Sequence, residues 1–252
     1  VAVATLIAQG VSAVLSFGFL MRKLKGIVTE PYAKYDAELL KNMVTVAIPT
    51  TIQQSIVSVG MLLVQAAVNR FGSTFLAGYT AATKIDGIAI VPMVAVGNAM
   101  STYVAQNMGA RKPERIAKGY RICLIMAGGI GLIIAGIFFF WGSRFVGLFL
   151  DSGTGAGAIA VGASYLSTVS LFYFVMGTMN VSNGVLRGAA DMRWFLTCSL
   201  ANLCTRVALT YAFADITQGM IIMWANPAGW LVGLVIAVTR YFQGGWKKKQ
   251  LV

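Results

Sequence analysis

The sequence predicts an all-α integral membrane protein of about seven transmembrane helices. Three observations carry this expectation. Of the 252 residues, 58% are hydrophobic and 11% charged. Mean hydropathy is +0.75. Apolar runs of about 20 residues, each long enough to cross hydrocarbon as a helix, recur along the chain. A soluble domain carries about 25% charge, and a chain this poor in charge could not cover a water-facing surface. Strict apolar alternation is absent, and an open sheet could not satisfy its backbone in lipid.

The segments follow in order. Val1–Met21 is apolar from its first residue, with no basic stretch before it, so it reads as a helix rather than a signal peptide and the chain as a piece of a longer polypeptide. Arg22–Asn42 is the longest polar stretch; it mixes lysines with Glu30, Pro31, Asp36 and Glu38 and reads as a connector. Asp36-Ala37-Glu38 suits the start of a helix, where acids are favoured. Met43–Val68 carries Pro49 near its start, which should loosen or bend it. Phe75–Gln106 contains Pro92, and Tyr120–Trp141 is the fourth span. The Gly153–Gly157 run has no following Lys-Ser/Thr, so it reads as a flexible loop and not a phosphate cradle. Ala158–Leu186, Trp194–Ala214 and Met220–Phe242 complete the seven.

Charge placement orients these spans. Net charge is +12, from 20 Lys+Arg against 8 Asp+Glu. One set of loops carries Arg22, Lys23, Lys25, Lys34 and Lys41, then Arg111, Lys112, Arg115, Lys118 and Arg121, then Arg187 and Arg193, then Lys247, Lys248 and Lys249. The alternate set carries Arg70 and Arg144. The positive-inside rule puts the first set, and the C-terminus, in the cytoplasm. Basic residues thus track topology rather than one continuous face, and nucleic acid is not an expected partner. The chain has no histidine. Cys123, Cys198 and Cys204 lie in apolar runs without a CxxC pair, so neither a disulfide scaffold nor a metal site is expected. No catalytic residues are expected.

Polar groups inside spans are the candidates for function. Thr50, Gln54, Ser58, Gln65 and Asn69 fall within about a 100° arc of the second span. Such a stripe faces a cavity, with Gln54 and Ser58 pointing in, or bonds neighbouring helices. Lys84 and Asp86 lie about 160° apart around the third. Counted from Gln106 along a straight helix, Asp86 is about 30 Å away, at the outer interface; a kink at Pro92 could draw it into a cavity. Arg206 is roughly 18 Å into its span, near the midplane, where an arginine needs a partner. Asp86 or a group on a helix outside this sequence could supply it. Asn180 and Asn183 either line a cavity or join helices.

Several stretches resemble the multidrug and toxic compound extrusion (MATE) family: Ala47-Ile48-Pro49; Ala81-Ala82-Thr83-Lys84-Ile85-Asp86 with Val91-Pro92; Ala105-Gln106-Asn107-Met108-Gly109-Ala110; Asn183-Gly184-Val185-Leu186-Arg187-Gly188 with Asp191 and Arg193; and Trp224-Ala225-Asn226-Pro227. Their order and spacing extend over most of the chain. The resemblance implies a transporter of two six-helix lobes, of which residues 1–21 are the last helix of the N-terminal lobe, 22–42 the inter-lobe loop, 43–243 the six-helix C-terminal lobe and 244–252 a basic cytoplasmic tail.

The function so implied is cation-coupled efflux of drugs or organic cations across the plasma membrane. Its coupling ion is a proton or sodium ion, with no other cofactor. Its partners are the bilayer, the N-terminal lobe of the same polypeptide and a small cationic substrate. One branch of the family places acids on the seventh and tenth helices. Here those regions read Gln53-Gln54-Ser55-Ile56-Val57 and Asn180 with Asn183. Other members carry the coupling carboxylate on the first helix, outside this sequence, so this lobe alone is expected to fall short of coupled antiport. The alternatives are a lipid-linked oligosaccharide flippase of the same superfamily and a truncated, non-transporting membrane protein.

Overall fold

The computed structural model describes residues 2–25, 35–150 and 155–248, and all the regular structure in them is helical. The middle of the Arg22–Asn42 connector, Ser152 with Gly153 and Thr154, and the chain from Lys249 onward lie outside the described residues. The chain divides into two units, Val1–Lys41 and Asn42–Val252.

The first unit holds helix α1, Ala2–Leu24, and the first turn of α2, Ala37–Val68. Asp36 accepts the Leu39 amide at 3.0 Å through Oδ1, a side-chain cap for an otherwise unpaired donor of the first turn.

The second unit continues α2 and adds α3 (Gly72–Ala89), α4 (Val91–Gly109), α5 (Glu114–Leu148), α6 (Ala156–Ser170), α7 (Tyr173–Gly188), α8 (Met192–Phe213) and α9 (Ile221–Gln243). Three helical stretches among the described residues, Ala37–Gly109, Glu114–Leu148 and Ile221–Gln243, are long and apolar enough to cross a membrane; α6 and α7, bent by 53°, reach that length and apolarity only when taken together. The outward faces suit lipid rather than water. On α5, Ile125, Leu132, Phe140 and Leu148 are each more than two thirds exposed, an apolar surface that water would not tolerate over such a length. The protein is a multi-pass membrane protein.

Two expected spans are broken. Phe75–Gln106 is α3 and α4, interrupted at Ile90. Pro92 sits in the first turn of α4, where its missing N–H is not needed. Ala158–Leu186 is α6 and α7, and no proline announces that break. Its last α6 turns hold Ser167 and Ser170, whose hydroxyls donate to the carbonyls of Ser164 and Ser167. Such side-chain bonds compete with the helix ladder, and the Phe172 amide closes onto Val169. By contrast α2 runs through Pro49 without interruption. Thr50 and Thr51 follow it directly and donate their hydroxyls to the Val46 and Ala47 carbonyls. Helix α5 extends well beyond Tyr120–Trp141 at both ends, because hydropathy is blind to helix in the headgroup region.

Close backbone approach organises the packing. A Cβ on Gly97 of α4 would lie 2.8 Å from the Asn180 carbonyl of α7, while Gly184 and Gly188 of α7 press on the backbone of Gly97 and Ser101. Two small residues four apart on each helix let the main chains meet, the usual way to gain packing where lipid offers no hydrophobic drive. Three helix ends close alike. Arg111, Ala190 and Gln218 take left-handed φ of 50–55°, and the next amide returns to the carbonyl five residues back, at 2.8 Å in each case. This is a Schellman closure made without glycine at the left-handed position.

Candidate functional site

The second unit encloses a cavity of about 550 Å³, walled by α2, α3, α4, α6, α7, α8 and α9. Of the residues singled out from sequence, Gln54, Lys84, Asp86, Asn180, Asn183 and Arg206 line it. Ser58 does not. Its hydroxyl donates back to the Gln54 carbonyl at 3.1 Å and its side chain is exposed. The face of α2 that meets the cavity is the row Gln53, Val57, Met61 and Gln65, with Gln54 at its edge. That row follows the i, i+4 spacing of one helix side. It is half apolar, and of the polar stripe drawn from sequence it shares Gln54 and Gln65 but not Ser58.

Asp86 is the centre of the polar network. It is 7% exposed, so it is not a carboxylate reaching out to an interface. Tyr173 donates to its Oδ1 at 2.6 Å and Tyr165 to its Oδ2 at 3.4 Å. Asn226 of α9 donates its amide to the Tyr165 hydroxyl at 2.8 Å. Aromatic rings wall this network: Tyr79 packs edge-on against Tyr165 at 5.3 Å, and Phe138 against Tyr173 at 6.1 Å. The network lies close to the breaks after α3 and α6. Asp86 is the fourth residue before the break at Ile90, and Tyr173 opens α7.

Arg206 shares the cavity with Asp86 but makes no ion pair with it among the described residues. Its Nε is buried without a hydrogen-bond partner, as is Asn183 Oδ1. Asn180 donates to the Met176 carbonyl at 3.0 Å, and Asn202 reaches the Met179 sulfur at 3.6 Å. Lys84 is exposed at the cavity wall. Arg187, assigned from sequence to a loop, ends α7 and lines the cavity, with its guanidinium donating to Ser101 and Asn98.

Tyr165, Tyr173, Asn226, Gln53 and Arg187 are thus members of the site that sequence reasoning did not assign. Asn226 and Arg187 stood inside quoted motifs, and that was the available signal. The tyrosines gave none, since a tyrosine in an apolar run reads as core.

A family model described as MatE matches residues 49–212. Probable multidrug resistance protein YoeA of Bacillus subtilis is 25% identical over 223 residues, covering 87% of this chain and 47% of that protein. Probable multidrug resistance protein YpnP of the same bacterium is 25% identical over 261 residues, covering 99% and 56%. The fold is similar to that of a MOP superfamily transporter from Pyrococcus furiosus whose binding pocket is described as reversed in polarity. Its TM-score is 0.71 at 21% identity, covering 88% of this chain and 49% of that one. The chain spans about half the length of the curated relatives it matches. The family match takes in more than half of this sequence, including every cavity-lining residue outside α9, and the chain belongs to the MatE family.

Proposed function

We propose that the chain acts as the C-terminal half of a secondary active efflux transporter of the plasma membrane, exporting small organic compounds in exchange for protons or sodium ions. The cavity carries this reading. It sits within a membrane lobe and mixes hydrocarbon from Val57, Met61, Met176 and Trp230 with amides and ionic groups. Asp86 is the one acid among its described lining residues. A wall of this kind holds an organic body by burial, and a buried carboxylate offers a place where an ion can compete with it. Exchange follows when ion and substrate favour different states of the same site. Membership of the family and similarity to proteins named for multidrug resistance support the same reading.

In this proposal residues 43–243 form one lobe and 1–21 the end of the other. The loop between them and the basic C-terminus face the cytoplasm, as the Lys/Arg asymmetry favours. A second reading, a flippase for lipid-linked oligosaccharides, draws on Lys84, Arg187 and Arg206 in the cavity, since guanidinium groups bind pyrophosphate well.

The test is dye efflux from vesicles carrying the whole protein under an imposed proton or sodium gradient. Gradient-dependent efflux is expected. Asp86→Asn should slow it and leave some gradient dependence, because the family resemblance sets a coupling carboxylate on the first helix. Absence of any gradient-driven efflux overturns the proposal. Total loss of coupling in folded Asp86→Asn moves the essential carboxylate into this lobe.

A further inference from the structure

Resting on the transporter reading, the charge of the cavity narrows the substrate class. Its described lining holds three cationic side chains, Lys84, Arg187 and Arg206, against the single carboxylate of Asp86. That carboxylate accepts hydrogen bonds from the phenols of Tyr173 and Tyr165. Arg206 lies near enough to feel that charge but forms no ion pair with it among the described residues, and its buried Nε–H has no acceptor there. A buried donor left unmatched is costly, and an intramembrane arginine faces an interior partner or a substrate pathway. Arg187 spends donors on Asn98 and Ser101, whereas among the described residues no hydrogen bond or ion pair engages Lys84 or Arg206. The opposite wall is hydrocarbon and soft sulfur, with Met61, Met179 and Trp230; methionine adapts to varied apolar shapes.

We infer that the cavity takes an amphiphilic organic anion. Its carboxylate, sulfonate or phosphate accepts hydrogen bonds from Arg206 and Lys84, and its hydrocarbon body lies against the methionines and Trp230. The positive surplus disfavours the organic cations implied by the family resemblance, because a cation meets like charge at the sites a ligand head must occupy.

The test is calorimetric titration of the whole purified protein with two probes sharing one ring system, naphthalene-2-sulfonate and 2-naphthyltrimethylammonium. The sulfonate should bind on the order of tenfold more tightly, the scale of one charge-assisted hydrogen bond. Arg206→Gln should remove a similar factor for the sulfonate and none for the ammonium, with Arg206→Lys retaining most of the affinity. If Arg206→Gln fails to fold, Lys84→Gln, at an exposed position, should still weaken the sulfonate several-fold. Equal or tighter ammonium binding, or sulfonate affinity indifferent to both substitutions, overturns the inference, and would mean that an acid outside this lobe already answers Arg206. Competition with dihexanoylphosphatidate separates the sources of such an anion. Displacement of the sulfonate supports a lipid headgroup and its absence a soluble compound, each within the anionic class. Failure here alongside gradient-driven dye efflux leaves the transporter standing; sulfonate binding without any efflux keeps the anion site and removes the transporter.

Discussion

Tyr173 donates its hydroxyl to Asp86 Oδ1 at 2.6 Å, and the bond joins the two broken spans of the lobe close to both breaks. The end of α3 and the start of α7 are held together by a carboxylate whose other oxygen accepts from Tyr165 of α6. Tyr173→Phe keeps the ring against Phe138 and Trp230 while removing the shorter bond. The expected loss is about 1–3 kcal/mol, the cost of leaving a buried acceptor short of a partner. Thermal unfolding in detergent measures it, and an unchanged midpoint would show that the bond contributes nothing to stability.

The face of α2 supplies a contrast between neighbours. Gln53 and Gln65 line the cavity and Ser58 does not. Gln53→Leu should change transport rate or substrate selectivity while leaving folded yield near normal. Ser58→Leu should leave transport unaltered. The reverse pattern in the vesicle assay would put Ser58 on the cavity face in place of Gln53.

The α4–α7 contact has no room for a side chain. Gly184→Val would drive a branched side chain into the Gly97 carbonyl and Met100, where overpacking costs on the order of 1–3 kcal/mol. Folded protein recovered by size-exclusion chromatography should fall sharply. Gly129→Ala, at a position with open space around it, should be tolerated, and equal losses from both would argue against close approach as the cause.

Two ion pairs should differ in weight. Arg240 Nε meets Asp191 Oδ2 at 2.7 Å, with the aspartate side chain 1% exposed, and the guanidinium also stacks over Trp194. Arg240→Leu removes this partner from a buried carboxylate and should cost about 1–3 kcal/mol. Arg70 and Asp215 pair at 3.1 Å with both side chains more than half exposed, so Arg70→Leu should cost less than about 1 kcal/mol. Unfolding midpoints of the two variants, compared in one detergent, test the ranking.

Topology is open to labelling in intact cells. With Cys123, Cys198 and Cys204 replaced by serine, Arg70→Cys should react with a membrane-impermeant maleimide and Lys112→Cys should not, as the Lys/Arg asymmetry requires. Labelling of Lys112→Cys alone would invert the orientation.

Much of this was legible along the chain. Hydrophobic runs of membrane-spanning length are a local property, so the helical class and the multi-pass membrane character were readable before any packing was known. The burial-prone polar residues were equally visible, since an amide or a charge stands out in an apolar run, and Gln54, Lys84, Asp86, Asn180, Asn183 and Arg206 were named on that ground. Where each one points was not readable. The α6–α7 break has no proline, and serine hydroxyls donate to carbonyls beside it. The α2 face turned toward the cavity is half hydrocarbon, so polarity alone misplaced Ser58. Asp86 meets tyrosines 79 and 87 residues away along the chain, while Arg206 in the same cavity is left without an acceptor for its Nε–H. Sequence spacing determines which side of its own helix a residue occupies. Only the tertiary structure, by bending α6 against α7 and pressing α4 onto α7, decided which of those sides share a cavity and which polar groups meet within it.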